Sequence, residues 1–305
     1  MILMVEYIFS LIIIASILFG LLLPQISVLW GDYLNPFLAI LMFFSTLKLE
    51  RKFIKVKKEQ IVSLLLFVLL LLPLLSIPFK LLGAMTFIGV LVAFSSPSAA
   101  ATAFFVSFLN GDIALALLIS FLSSLLSLAT LPLTIQFLAG ESVFVDASKI
   151  IVLLIQVIAL PIILALFTKK FLKGVADWVN RHRNHQLAFV FLLGSGIIGR
   201  SYPIIAGNEV QLLQLTFLIL LALLFGGLLA YFFGSRYGRK SAVTFFIATS
   251  VKNAMLSFAV VVELFGIAAA LPMVANLLAQ LLLMVFLEVF GNQALALFQS
   301  SAKTR

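Results

Sequence analysis

Successive apolar runs, each close to the length needed to cross a bilayer, leave this chain almost no way to fold in water. A spanning helix needs about 20 residues at about 1.5 Å rise per residue. Runs at 7–24, 33–48, 61–80, 84–109, 113–137, 148–170, 186–204, 210–234, 240–264 and 267–291 approach or exceed that length. They are continuous and lack the period-two alternation of barrel strands, so each predicts a helix. Charged residues are 10% of the 305, where a soluble protein carries roughly 25%. The expected fold class is an all-α polytopic membrane protein with ten transmembrane helices, in a single membrane domain over 1–305. No polar stretch is long enough for a separate soluble domain. The opening segment, MILMVEYIFSLIIIASILFGLLLP, has neither a basic n-region nor a small-residue cleavage site. It reads as a retained first helix.

The absence of Cys excludes disulfides, thiolate metal sites and thiol nucleophiles. His182 and His185 sit in a basic loop without nearby carboxylates and make a poor metal site. The spans offer serines without a histidine base, and no paired carboxylates, so an intramembrane hydrolase has no machinery. Neither an enzyme nor a cofactor is expected.

The net charge of +9 is a topology signal. Lys48, Arg51, Lys52, Lys55, Lys57 and Lys58 follow the second span. Lys169, Lys170, Lys173, Arg181 and Arg183 follow the sixth, Arg236, Arg239 and Lys240 the eighth, and Lys303 and Arg305 the last. With ten spans, all of these fall on one side, against Lys80, Lys149 and Arg200 on the other. Basic loops stay cytoplasmic, which places both termini inside a cell (inner) membrane. The cations are spread over short separate loops, so nucleic acid is not an expected partner; the lipid bilayer is.

Two spans are interrupted by polar residues: Ser95-Ser96-Pro97-Ser98 within 84–109, and Thr249-Ser250-Val251-Lys252-Asn253 within 240–264. Each break has about half a helix of apolar residues on either side, which puts it near mid-membrane. Irregular backbone at that depth is tolerated only where protein buries it or it lines a cavity. The broken span is the fourth in each half of five. An odd number of spans per half makes the halves insert in opposite senses, so the pattern predicts two inverted five-helix repeats with a binding site where they meet. Pro73, Pro132, Pro161 and Pro272 fall within spans and predict kinks. Asp112 is expected to cap the span that follows it.

Lys252 is the one cation near the middle of a span, and an ionisable group there points to function. Half-helix C-termini carry partial negative charge and unpaired carbonyls, which an ammonium can answer with three donors. Ser96, Ser98, Thr249 and Asn253 fall on the breaks, where half-helix N-termini offer N–H groups to a substrate carboxylate. Pro97 and Ser250 complete the two breaks. Ser107, Ser120, Ser123 and Ser124 also fit plain helix packing, as does Asn276 through an interhelical hydrogen bond.

At these stretches the chain resembles the bile acid:sodium symporter family. The similar segments are GLLLPQISVLW, NPFLAILMFFSTLKLE, SSPSAAATAFFVSFLNGDIALALLISFLSSLL and TSVKNAMLSFAVV, in order along nearly the whole chain. The resemblance implies ten helices, with a panel from spans one, two, six and seven (about 7–48 and 148–204). It implies a core from the others (about 61–137 and 210–291), in which the broken helices cross. It implies small or amphipathic organic anions as substrates, such as bile acids, pantoate or 2-keto acids, usually driven by sodium.

The departures concentrate on the family's sodium site. Its Ser-Asn pair is here Thr102-Ala103, and its acidic ligand is Ala248. A glutamine becomes Lys252, and the third-span glutamine becomes Val68. Ser120, Ser123, Ser124 and Asn253 retain polar positions, and the family's His-Asn pair appears as Ala275-Asn276. The resemblance thus implies an organic-anion transporter whose ion site has lost a carboxylate and gained a cation. Sodium is then not the expected coupling ion. Lys252 either stays charged in the ion's place, carries H+ through the cycle, or braces the fold. An ion or proton exchanger on the same fold is the alternative, against which the lack of a mid-membrane Asp or Glu counts.

Overall fold

The computed structural model describes residues 8–47, 56–99, 101–140, 146–181 and 185–303. Lys48, Arg51, Lys52, Lys55, His182, Arg183 and Arg305 lie outside them. Every regular element is a helix: α1 (Ile8–Leu22), α2 (Pro24–Leu47), α3 (Lys58–Leu82), α4 (Ala84–Ser95), α5 (Thr102–Phe108), α6 (Ile113–Ala139), α7 (Ser148–Phe171), α8 (Lys173–Arg181), α9 (His185–Ile205), α10 (Glu209–Gly234), α11 (Arg239–Ser250), α12 (Ala254–Phe265) and α13 (Leu271–Lys303). Six of these runs are long and apolar enough to cross a membrane: α2, α3, α6, α7, α9 and the run from α10 to Tyr237. Four shorter apolar helices lie at Leu11–Leu22, Ala84–Ser95, Ala254–Phe265 and Leu271–Leu287. The chain is an integral, all-α polytopic membrane protein.

Helix ends follow local chemistry. The Asp112 carboxylate accepts from Leu115 N–H at 3.0 Å and starts α6, as an Asp N-cap does. The turn before it puts Asn110 at φ 56°, a left-handed conformation that Asn tolerates. At Gly111 a Cβ would come within 2.7 Å of Val106 Cγ1, so only glycine lets the chain fold back there. Asp146 caps the helix that runs into α7 by accepting from the N–H groups of Ser148 and Lys149.

Pro73 and Pro161 sit in helices that open into π-turns just before them, at Phe67–Leu71 and Ile155–Ala159. Widening the helix by one residue relieves the clash between a proline ring and the carbonyl four residues back. Pro272 needs no kink. It lies in the first turn of α13, where its missing N–H would have had no helical partner.

The buried apolar residues form one main cluster that threads most of the helices. Helix α9 packs on α1 and α2, and α7 packs on α2. Helix α10 packs on α11 and α13, while α4 packs on α6, α12 and α13. The approach of α10 to α11 depends on Gly227, where a Cβ would lie 2.1 Å from Ser250 Oγ.

Candidate functional site

The two breaks meet. Helix α4 ends at Ser95 because Ser96 turns extended (φ −63°, ψ 151°) ahead of Pro97, the conformation that a following proline favours. The chain becomes helical again at Thr102. The second break is shorter than the polar stretch in the sequence. Thr249 and Ser250 remain in the last turn of α11. Asn253 starts α12 at once by accepting from Leu256 N–H at 3.1 Å. Only Val251, Lys252 and Asn253 are non-helical.

Across the crossing, Ser98 and Lys252 form an antiparallel bridge. Ala99 N–H donates to Val251 O at 3.0 Å, and Asn253 N–H donates to Pro97 O at 2.9 Å. Each break therefore supplies partners for the other's backbone, which a membrane interior otherwise denies it.

Two further backbone groups of the first break are answered from α6. Ser98 N–H donates to Ser123 Oγ at 3.1 Å, and Ser120 Oγ donates to Ala99 O at 3.0 Å. Ser98 Oγ shares a hydrogen bond with Thr102 Oγ1 at 2.9 Å. Ser124 Oγ turns back to Ser120 O at 2.7 Å. The helical spacing of Ser120, Ser123, Ser124 and Ser127 lines these hydroxyls along one face. Ser96 Oγ bonds its own helix at Val92 O, 2.9 Å away.

The second break draws on more distant partners. Ser250 Oγ donates to Leu223 O at 2.9 Å, tying α11 to α10. Lys252 is 1% exposed, and its Nζ donates to Val68 O at 2.8 Å. That carbonyl is available for a reason legible in α3. In the π-turn, Leu72 N–H goes to Phe67 O. The next donor in that pattern, five residues after Val68, would be Pro73, which has no N–H. The ammonium takes the place of the missing backbone donor. Among the described residues, no carboxylate pairs with Lys252.

Lys252 N–H donates to Gln280 Oε1 at 2.9 Å, and Gln280 Nε2 donates to Asn276 Oδ1 at 3.2 Å. Gln280 is a site residue that sequence reasoning missed. The signal was present: two buried amides, Asn276 and Gln280, one turn apart in an apolar helix. Among the described residues, three buried polar atoms at or near the crossing have no partner: Ser95 Oγ, Thr249 Oγ1 and Asn276 Nδ2. Each is an unsatisfied hydrogen-bonding position. The N–H groups of Ala99, Ser98, Lys252 and Asn253 are already engaged within the protein. Side-chain groups are therefore better placed to receive a substrate than the half-helix N-termini are.

A separate cleft of about 130 Å³ is lined by Gly31, Asp32, Asn35 and Arg200 on one side and by Phe258 and Glu263 of α12 on the other. Arg200 donates to Gly31 O at 3.1 Å and lies 3.6 Å from the Asp32 carboxylate. The cleft borders the helix that begins at the second break.

Among known proteins, the chain is 27% identical over 233 residues to an "Uncharacterized sodium-dependent transporter YocS" of Bacillus subtilis (strain 168), covering 74% of this chain and 70% of that one. The family model described as "Sodium Bile acid symporter family" matches residues 35–199, a stretch that holds the first break and stops before the second. The helical bundle is thus a secondary-transporter fold, the protein is a transport protein and not an enzyme, and the chain belongs to the sodium bile acid symporter family.

Proposed function

We propose that this protein carries small or amphipathic organic anions by alternating access, and that Lys252 stands where the family's usual coupling ion would sit. The observation that carries this reading is the buried Lys252 ammonium, 2.8 Å from the freed Val68 carbonyl at the crossing. Its backbone is bridged to the first break. The resemblance sets Val68 and Lys252 at positions of glutamines in the family's sodium site, which supports Lys252 taking a ligand's place there. The sodium dependence in the relative's name belongs to the relative; in this reading the Lys252 side chain answers the site in its place.

In this reading the long helices, the shorter apolar helices and the crossed half-helices make ten crossings in two inverted five-helix repeats. Helices α1, α2 and α7 to α9 form a panel, and α3 to α6 with α10 to α13 form a core that moves against it. The separate packing of α9 on α1 and α2, and of α4 with α12 and α13, supports that division. The basic loops put both termini in the cytoplasm. The cleft between Arg200 and Glu263 then opens from the outer side, along α12 towards the crossing. Asn253, Thr249, Ser250, Ser96, Pro97, Ser98, Thr102, Ser120, Ser123, Ser124 and Asn276 form the surrounding site. The partnerless Thr249 hydroxyl and Asn276 amide are the groups for a substrate carboxylate. The ammonium either stays charged, giving sodium-independent facilitated transport, or releases H+ in each cycle.

The test is thermal stability of the purified protein against sodium, with choline holding ionic strength constant. A ligand bound only by the folded state stabilises it by about 2.7 kcal/mol at a hundredfold excess over its dissociation constant. The unaltered protein is expected to show no sodium-specific stabilisation, and Lys252→Gln is expected to gain one. A clear sodium effect on the unaltered protein overturns the assignment of Lys252.

A further inference from the structure

The nine residues of α8 are not part of any span, yet they are strongly amphipathic. Leu172 leaves helical geometry (φ −123°, ψ 54°) at the end of α7, and α8 folds back over the ends of α7 and α2. Ala176 and Val179 are buried against Leu47 and Ala165. At 100° per residue, Val175 and Trp178 continue the same apolar arc beyond that contact. Both are exposed, at 48% and 52%. Phe167, Phe171 and Leu172 extend the exposed apolar surface onto the end of α7. The apolar face of α8 is thus half covered by protein, and the other half continues the lipid-facing surface of a spanning helix.

The polar side carries the complementary signal. From Lys169 to Arg181 the sequence has four cations and one carboxylate, Asp177. Lys170 and Lys173 are both exposed. Lys170 Nζ lies 5.0 Å from the ring centre of Phe171, which holds a charge beside the apolar strip. A helix with an apolar strip bearing Trp and a lysine-rich edge lies in the plane of the headgroups, where anionic lipids add electrostatic attraction.

We propose that α8 is an in-plane membrane helix that seats anionic phospholipids of its own leaflet. Lys170 and Lys173 contact the headgroup phosphates, and Trp178 lies at the boundary with the acyl chains. This interaction is independent of what the protein transports. It sets the local lipid around the junction between α7 and α2.

The test uses the full chain in nanodiscs. The sequence has two tryptophans, Trp30 and Trp178, so Trp30→Phe isolates the fluorescence of Trp178. Subtracting the spectrum of Trp178→Phe gives the same signal if Trp30→Phe folds poorly. Lipids brominated near the top of the acyl chain act as quenchers, either as phosphatidylcholine or as phosphatidylglycerol, at the same mole fraction in unlabelled phosphatidylcholine. Quenching is expected from both, with phosphatidylglycerol enriched about fivefold or more at Trp178, since each lysine near a charged surface contributes on the order of that factor. The preference should fall as salt rises. In Lys170→Gln/Lys173→Gln it should vanish, while quenching by phosphatidylcholine persists. Absence of quenching by brominated phosphatidylcholine overturns the in-plane placement. Equal quenching by the two lipids in the unaltered protein, or a preference that survives the double substitution, overturns the headgroup site.

Discussion

At the first break, hydroxyls from a single neighbouring helix answer the exposed backbone: Ser123 accepts from Ser98 N–H, and Ser120 donates to Ala99 O. At the second, an ammonium and an amide reach partners on two other helices. Lys252 Nζ reaches Val68 in α3, and Gln280 of α13 reaches Lys252 N–H. The first arrangement is neutral and local, since α6 follows the break after only the short helix α5. The second rests on a lysine and reaches out to α3 and α13. If the two arms move in a transport cycle, the second break has more to rearrange, because the links made by the Lys252 side chain and backbone N–H cross to helices distant in sequence. Two buried side-chain atoms without a partner among the described residues, Thr249 Oγ1 and Asn276 Nδ2, lie on that same side of the crossing.

Truncating Lys252 should give the largest effect. Lys252→Ala empties a fully buried volume and strips Val68 O of its donor. It is expected to lower the unfolding free energy by about 2–5 kcal/mol, as large-to-small core changes do, read from denaturation in detergent. Lys252→Met keeps the length and loses the charge. It should recover most of that stability and still abolish organic-anion uptake into proteoliposomes. If Met restores both stability and uptake, the ammonium is a brace and the charge difference between the breaks has no functional meaning. A pH gradient sharpens the same point. Uptake that follows the gradient in the unaltered protein, and loses that dependence in Lys252→Gln, assigns the proton to this lysine.

Gln280→Leu comes next. It leaves Lys252 N–H and Asn276 Oδ1 without their partner inside the bundle. Stranding one buried polar group costs about 1–3 kcal/mol, so a loss of about 2 kcal/mol is expected in the same denaturation measurement. A neutral result would mean that the second break is less tightly held than its hydrogen bonds indicate.

What the sequence made legible and what it hid divides along the same line. Local chemistry was readable. Hydropathy located the apolar helices, Pro97 and the flanking serines marked the first break, and Asp112 announced the cap it forms. The partners of Lys252 were not readable. The Val68 carbonyl is free only because Pro73 forces a π-turn, whereas the sequence alone shows a proline and suggests a kink. The sequence shows Gln280 one turn from Asn276, but that the pair meets the Lys252 backbone appears only once α13 is packed beside the crossing. The second break also proved narrower than its run of polar residues, because Asn253 caps α12 immediately and leaves Thr249 inside α11. Polarity marks a break; capping decides its length.

Ser123→Ala tests the neutral arm. It removes the acceptor for Ser98 N–H while leaving the main-chain bridge in place. A single neutral hydrogen bond contributes about 1 kcal/mol, so the loss should be about half that of Gln280→Leu in the same assay, with uptake reduced but present. An effect equal to or larger than that of Gln280→Leu would reverse the ranking of the two breaks and make the hydroxyl face of α6 the more important support.

The smallest effect should come from outside the membrane, at Asp146. The hydroxyl of Ser148 beside it, with the N–H groups of Lys149 and Ser148, holds its carboxyl below the ordinary aspartate range. A depressed carboxyl stabilises the fold above its unfolded pKa of about 3.9. That contribution falls away as pH drops through the lower folded value. Asp146→Ala should therefore speed amide hydrogen exchange over Ser148 and Lys149 at neutral pH and make no difference in strong acid, with uptake unchanged. A change in uptake would mean that the start of α7 is coupled to the crossing, so that the two breaks would not be the whole of the moving machinery.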